Sequence, residues 1–225
     1  MPRIARAIAV GFPHHIIQRG NNKEKVFFED EDKEKYLSLL KKYSRKWDLS
    51  ILVYCLMDNH VHLLARPKEE ESLYKTMQGV TLCYTQHINR KYERTGRLWE
   101  SRYNSCIVDR EKYLWAAARY IEQNPVRAKM AVRAEDYAYS SANAHFSGKA
   151  DEVLGEELFD EEQRSAYIGL LRSDMPEKEK LGIRYYTRTG RPFGSEEFIK
   201  KMEKKLGRIL IPMKPGRPKK KKVGK

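Results

Sequence analysis

From Leu49 to Met57 the chain is nearly all apolar, Asp58-Asn59 follows, and Val61, Leu63, Leu64 and Ala65 resume the apolar pattern. A short apolar run bounded by turn residues has the length of a buried strand, not of a helix. Asp-Asn suits a tight turn, so this stretch predicts a hairpin, with Leu49–Met57 as a central strand and His60–Ala65 as its return. Pro67 stops the second strand, because proline cannot donate to a ladder. Side chains alternate across a strand, so His60 and His62 project from one face and Val61 from the other. Two imidazoles held side by side form half of a metal site. The same pair also suits the wet face of an edge strand.

Around this hairpin the periodicity changes repeatedly. His14 to Gln18 reads as a short strand, followed by the polar turn Arg19-Gly20-Asn21-Asn22. Tyr36, Leu39, Leu40, Tyr43 and Trp47 fall at helical spacings, predicting an amphipathic helix over residues 31–47. Leu73, Met77, Val80, Tyr84 and Ile88 make the stripe of a second helix, over about residues 71–92. Arg94 to Arg97 is a basic turn, and residues 98–108 contain a strand. Asp109 suits an N-cap for a third helix that runs to about Asn124, where Pro125 limits it. Strand, helix, strand, strand, helix, strand, helix is the order of a split β-α-β unit. The expected class is therefore α+β: a ferredoxin-like antiparallel sheet with helices on one face. Beyond Ser141 the pattern weakens. Residues 159–171 read as helical, 182–194 as a basic, aromatic loop, and Ser195 as the N-cap of a helix reaching about Leu206.

Length and charge bound the rest. A chain of 225 residues can hold one well-buried domain with extensions, or two small domains. No window approaches the roughly 20 apolar residues that span a bilayer, and Ile8-Ala9-Val10 is too short for a signal peptide. Cys55, Cys83 and Cys106 are odd in number and far apart, which points to free thiols in a reducing cytoplasm. Residues 200–225 carry twelve Lys and Arg against one Glu, whereas the preceding 199 residues carry 33 against 30. The excess thus sits in a tail, expected to be a disordered arm over residues 212–225 that meets phosphates through counterion release. Within it, Gly216-Arg217-Pro218 with flanking lysines resembles an AT-hook core, and Arg217 could lie in a narrow minor groove.

The third helix carries Tyr120 and, four residues on, Asn124, which share a face. A phenol is a poor nucleophile until a metal or base stabilises its phenolate. An amide oxygen one turn away could join two imidazoles around Mg²⁺ or Mn²⁺ and leave positions for water and a phosphate oxygen. Core packing for Tyr120 and a helix-end role for Asn124 are the plain alternatives.

Four blocks carry a resemblance. They are Pro2-Arg3 with His14 to Asn22, then Met57 to Leu64, then Gly96 to Ser105, then Arg119 to Ala128. In that order and spacing they resemble the REP-associated tyrosine transposases, members of the single-tyrosine group whose His-hydrophobic-His motif is called HUH. The resemblance covers roughly residues 1–145, the expected catalytic domain. Residues 146–211 would form a partly helical extension, and 212–225 the tail. It implies that His60 and His62 bind the metal, that Tyr120 is the nucleophile, and that Asn124 is the third ligand, with Gln123 one position away as the fallback. Asp58 stands where many relatives have Pro, and Lys129 where many have Gly. It also implies a partner, hairpin-forming single-stranded DNA, and a nucleoid-associated place in the cytoplasm. Arg19, Asn21 and Asn22 are then candidates for reading unpaired bases. Arg97, Arg102 and Arg127 are candidates for phosphate contact, and Tyr103 for base stacking.

Rival readings are another HUH nuclease, such as a replication initiator or relaxase, and a DNA-binding protein that has lost catalysis. A two-motif phosphodiesterase needs a second His-x-Ser or His-x-Thr, which His14, His15, His87 and His145 do not supply. A monomer is preferred over a homodimer, because the extension could cover the surface a partner would use. Deleting residues 212–225 should weaken DNA binding and flatten its dependence on salt; titrations at several salt concentrations measure the slope.

Overall fold

The computed structural model describes residues 6–110 and 112–210; the tail with Arg217, and Pro2-Arg3, lie outside the described residues. In chain order the elements are β1 (His14–Arg19), α1 (Asp30–Lys46), β2 (Leu49–Met57), β3 (His60–Pro67), α2 (Ser72–Lys91) and β4 (Asn104–Ile107). They continue with α3 (Lys112–Glu122), α4 (Asn124–Arg127), α5 (Ala142–Ser147), α6 (Glu161–Arg172), α7 (Glu177–Thr189) and α8 (Glu196–Leu206). The four strands lie in the order β2-β3-β1-β4, every neighbouring pair antiparallel. This is the α+β sheet expected from the element order.

The helices cover both faces of the sheet, not one. Ile51, Tyr54, Leu56, Val61, Leu63 and Ile16 pack with Tyr36 and Leu40 of α1 and Leu73, Val80 and Tyr84 of α2. Leu52, Val53, Cys55, Met57, Leu64 and Cys106 pack with Ala117, Tyr120 and Ile121 of α3, Tyr167 and Leu171 of α6, and Ile183 of α7. Two buried faces are what a strand as uniformly apolar as β2 requires. A register shift between Ile51 and Val53 lets Leu52 and Val53 both join the α3 side.

β2 is also an edge strand, not a central one. Its free polar groups are met by the chain that follows α4. Leu56 N–H donates to Tyr139 O at 2.9 Å, Ser141 N–H to Tyr54 O at 3.0 Å, and Gly155 N–H to Ile51 O at 2.8 Å. β4 is covered similarly, with Phe193 N–H donating to Ile107 O at 2.7 Å. Covered edges are unavailable to other chains.

Two further expectations change. Pro125 does not end the helical region; it sits in the first turn of α4, where its missing N–H has no helical partner to lose. Residues 182–194 are not a loop throughout, because α7 reaches Thr189. Ile183 and Thr187, one turn apart, bury that helix on the sheet, and Gly190 ends it in the left-handed region at φ 70°. Among the described residues no helix is long and apolar enough to cross a membrane.

Glu122 ties the later helices to α3. Fully buried, it accepts from Ser141 Oγ at 2.5 Å, His145 Nδ1 at 2.7 Å and Tyr167 Oη at 2.7 Å. Removing the carboxylate strands three buried donors. Glu122→Ala should cost about 3 kcal/mol or more of stability, read as a lowered midpoint in urea unfolding.

Candidate active site

β1 and β3 pair with Ile17 opposite His62 and Arg19 opposite His60. Strand alternation therefore puts His15, Ile17 and Arg19 on the same face as His60 and His62. That face forms the floor of a cleft of about 530 Å³, also bordered by Tyr120, Asn124, Glu100, Asn104, Arg184, Thr187 and Arg188.

Hydrogen bonds orient both HUH rings. Asn59 Nδ2 donates to Lys23 O at 2.9 Å, which leaves Asn59 Oδ1 to accept from His60 Nδ1 at 2.6 Å. His62 Nδ1 lies 2.9 Å from His15 Nε2. In each ring Nε2 is the nitrogen left for a ligand. Burial, followed by the charges of Arg19 and Arg127, lowers the pKa of His60 to about 4. Burial likewise lowers His15 to about 3 and holds His62 well below the usual histidine range. Near neutral pH these are neutral imidazoles, the form that binds metals.

Tyr120 stands over the histidines. Its ring centroid is 5.8 Å from that of His62 and 5.9 Å from that of His15, with near-perpendicular planes. Arg184 Nε donates to the Tyr120 hydroxyl at 3.3 Å, and this bond raises the pKa of the guanidinium. Asn124 Nδ2 donates to Tyr120 O at 3.1 Å and Ile121 O at 3.0 Å, leaving Oδ1 as the free acceptor of that amide. The donor set of two bare imidazole nitrogens and an amide oxygen suits a divalent cation that keeps water or phosphate in its other positions. No group of three or more His, Cys, Asp or Glu side chains among the described residues could hold a metal by itself.

Several expectations are corrected here. Gln123 does not border the cleft; its Nε2 donates to Leu171 O and Ser173 O, both at 2.8 Å, and docks α6. Tyr103 is a core residue under Arg6, whose guanidinium lies 3.8 Å from the ring centroid; no base can stack on that covered face. Arg127 is engaged with Tyr120 through one nitrogen, while its Nη1 has no partner among the described residues. Its Nη2 donates to Tyr120 O at 2.7 Å and its guanidinium lies 4.5 Å from the centre of the Tyr120 ring.

Arg19, Arg97, Arg102 and Asn22 are exposed, and Asn21 is half-buried. The turn holding Asn21 and Asn22 depends on Gly20, where an added Cβ would meet Glu24 O at 2.3 Å. Lys129 takes φ 58°, a left-handed conformation that favours glycine. Sequence reading missed His15, Glu100, Arg184, Thr187 and Arg188. Period-two alternation from Arg19 points to His15, and the spacing of Arg184 and Arg188 is helical.

A family model described as "Transposase IS200 like" matches residues 10–124. Among solved structures, one of a REP-associated tyrosine transposase bound to a REP hairpin is similar at a TM-score of 0.57 and 14% identity, over 71% of this chain and 94% of that one. A transposase structure from Deinococcus radiodurans R1 is similar at a TM-score of 0.37 and 15% identity, over 57% and 92%. A search of curated proteins returned no match.

The buried imidazoles have a cost in acid. His14 is also fully buried, its pKa lowered to about 4 by burial, with Nδ1 on Phe12 O and Nε2 accepting from Ala9 N–H. Between the unfolded histidine value near 6.5 and these folded values, the unfolded chain binds more protons. Stability therefore falls as pH drops through that window and levels off below it. Thermal melts in chelator should show Tm declining from pH 7 to pH 5, and His14→Gln should make the decline shallower.

Proposed function

The chain belongs to the IS200-like transposase family, and from that membership we propose that it cleaves and rejoins single-stranded hairpin DNA through a phosphotyrosine intermediate. The observation that carries the reading is the placement of the Tyr120 hydroxyl, in one cleft with His60, His62 and Asn124 and under the guanidinium of Arg184.

Tyr120 is the nucleophile in this reading. Its phenolate oxygen bonds to the phosphorus as the bond from phosphorus to the 3′-oxygen breaks, giving a 5′-phosphotyrosine and a 3′-hydroxyl. In net terms the proton lost by the phenol is the proton gained by the 3′-oxygen. The energy of the broken ester is kept in the new one, so a second 3′-hydroxyl can attack and rejoin strands without ATP. Arg184 donates to the Tyr120 oxygen and sets a fixed cation beside the negative charge that develops in the transition state. Arg127 holds the Tyr120 backbone and ring in place.

His60, His62 and Asn124 would hold Mg²⁺ or Mn²⁺ through Nε2, Nε2 and Oδ1. The chemistry supplied there would be Lewis-acid polarisation of the scissile phosphate and stabilisation of the leaving oxygen. Arg19 and Arg188, which border the cleft, would draw in the DNA backbone. Hairpin DNA is the proposed partner because the similar solved transposase is bound to a REP hairpin. A monomer is proposed because both sheet edges are covered in cis and one chain supplies every group named here.

Covalent trapping tests the reading. With Mn²⁺ and labelled hairpin DNA, wild type should give a protein–DNA adduct on a denaturing gel, and chelator should abolish it. Tyr120→Phe should give none while keeping hairpin affinity within a few-fold, because phosphate contacts dominate such interfaces. Arg184→Ala should slow adduct formation by at least about 10-fold. An adduct with Tyr120→Phe would refute the nucleophile; tight binding without any adduct would favour a DNA-binding protein that has lost catalysis.

A further inference from the structure

We propose that Thr187, acting through His15, fixes the tautomer of His62 and so presents that ring's Nε2 lone pair to the cleft. Its use for metal binding rests on the reading of His60 and His62 as ligands; the hydrogen-bond geometry does not.

The direction of each bond follows from counting protons. A threonine hydroxyl has one proton; Ile183 O, which can only accept, lies 2.8 Å away and Cys106 Sγ, a weak acceptor, 3.4 Å, so Thr187 donates to Ile183 O. The Thr187 oxygen is then an acceptor for His15 Nδ1, 2.7 Å away. His15 and His62 are both buried, and among the described residues neither forms a hydrogen bond or ion pair with a carboxylate, so each ring is neutral and carries one N–H. His15 spends its N–H on Thr187, which leaves its Nε2 bare. That bare nitrogen faces His62 Nδ1 at 2.9 Å, so the proton between them belongs to His62. His62, with its single N–H on Nδ1, has Nε2 free. Stacking of the two rings, 5.2 Å between centroids and 12° between planes, keeps the alignment.

Thr187 and His15 are thus positioning residues separated by 172 positions in the chain. They give α7 a specific task at the HUH pair. Histidine ligands usually need such a partner on the second nitrogen, and losing it weakens metal binding by about 10–100-fold.

The test uses full-length protein with ¹⁵N-labelled histidine. Long-range ¹H–¹⁵N correlation spectra of the metal-free protein read each tautomer, and electron paramagnetic resonance of free Mn²⁺ reads uptake. Wild type should show His62 with its proton on Nδ1. Thr187→Val should mix the two tautomers and weaken Mn²⁺ binding by about 10-fold or more, and Thr187→Ser should restore both. A wild-type His62 protonated on Nε2 would overturn the proposal, even if Thr187→Val fails to fold. So would a folded Thr187→Val that keeps wild-type tautomer and affinity. Wild type with the expected tautomer but no Mn²⁺ uptake would support the relay and overturn the metal reading.

Discussion

Antiparallel pairing of β1 with β3 decides where the site's groups stand. A strand throws alternate side chains to opposite faces. One register therefore places His15, Ile17, Arg19, His60 and His62 together. A slip of one residue would move the histidines of one strand into the core packed by α1 and α2, and would bring Ile16 or Val61 into the cleft. The apolar residues between the histidines are what forbid that slip. Val61 and Leu63 are fully buried on the opposite face, so the hydrophobic effect holds this register.

The readable part of the sequence was the part with strict local periodicity. His60 and His62 share a face because they are two apart on a strand, and Tyr120 and Asn124 because they are four apart on a helical path. The element order was enough for the sheet. What escaped was decided by tertiary partners. β2 resembles a central strand because both its faces are buried, but the cover on its edge comes from residues 139–155, far along the chain. The aromatic at Tyr103 could equally stack on a base or fill a core, and its burial in the core under Arg6 separates the two. Helix α7 was obscured by Gly182, Gly190 and a basic, aromatic composition. Its amphipathic signal is the single buried pair Ile183 and Thr187.

That helix changes how the segment after Ser141 is understood. Leu158, Phe159, Tyr167, Leu171, Met175, Ile183 and Phe193 join the core that also holds Tyr120 and Ile121. Glu122, only two residues past Tyr120, accepts hydrogen bonds from α5 and α6. The helix bearing the tyrosine is therefore clamped between the sheet and the later helices. Arg184 and Thr187 extend that clamp into the cleft itself.

The order in which these contacts form has a kinetic side. Hairpin β2–β3 closes through a two-residue turn and needs only neighbouring chain. The contact of His15 with Thr187 closes a loop spanning most of the polypeptide, and Arg184 meets Tyr120 across another long separation. Loops of that size are entropically expensive until the sheet and α3 already hold their ends near each other. Loop-closure entropy thus favours forming the sheet before the contacts that complete the cleft. On the ribosome, where residues emerge in sequence, the tyrosine leaves the tunnel well before the arginine that faces it. The cleft closes only once α7 has been made.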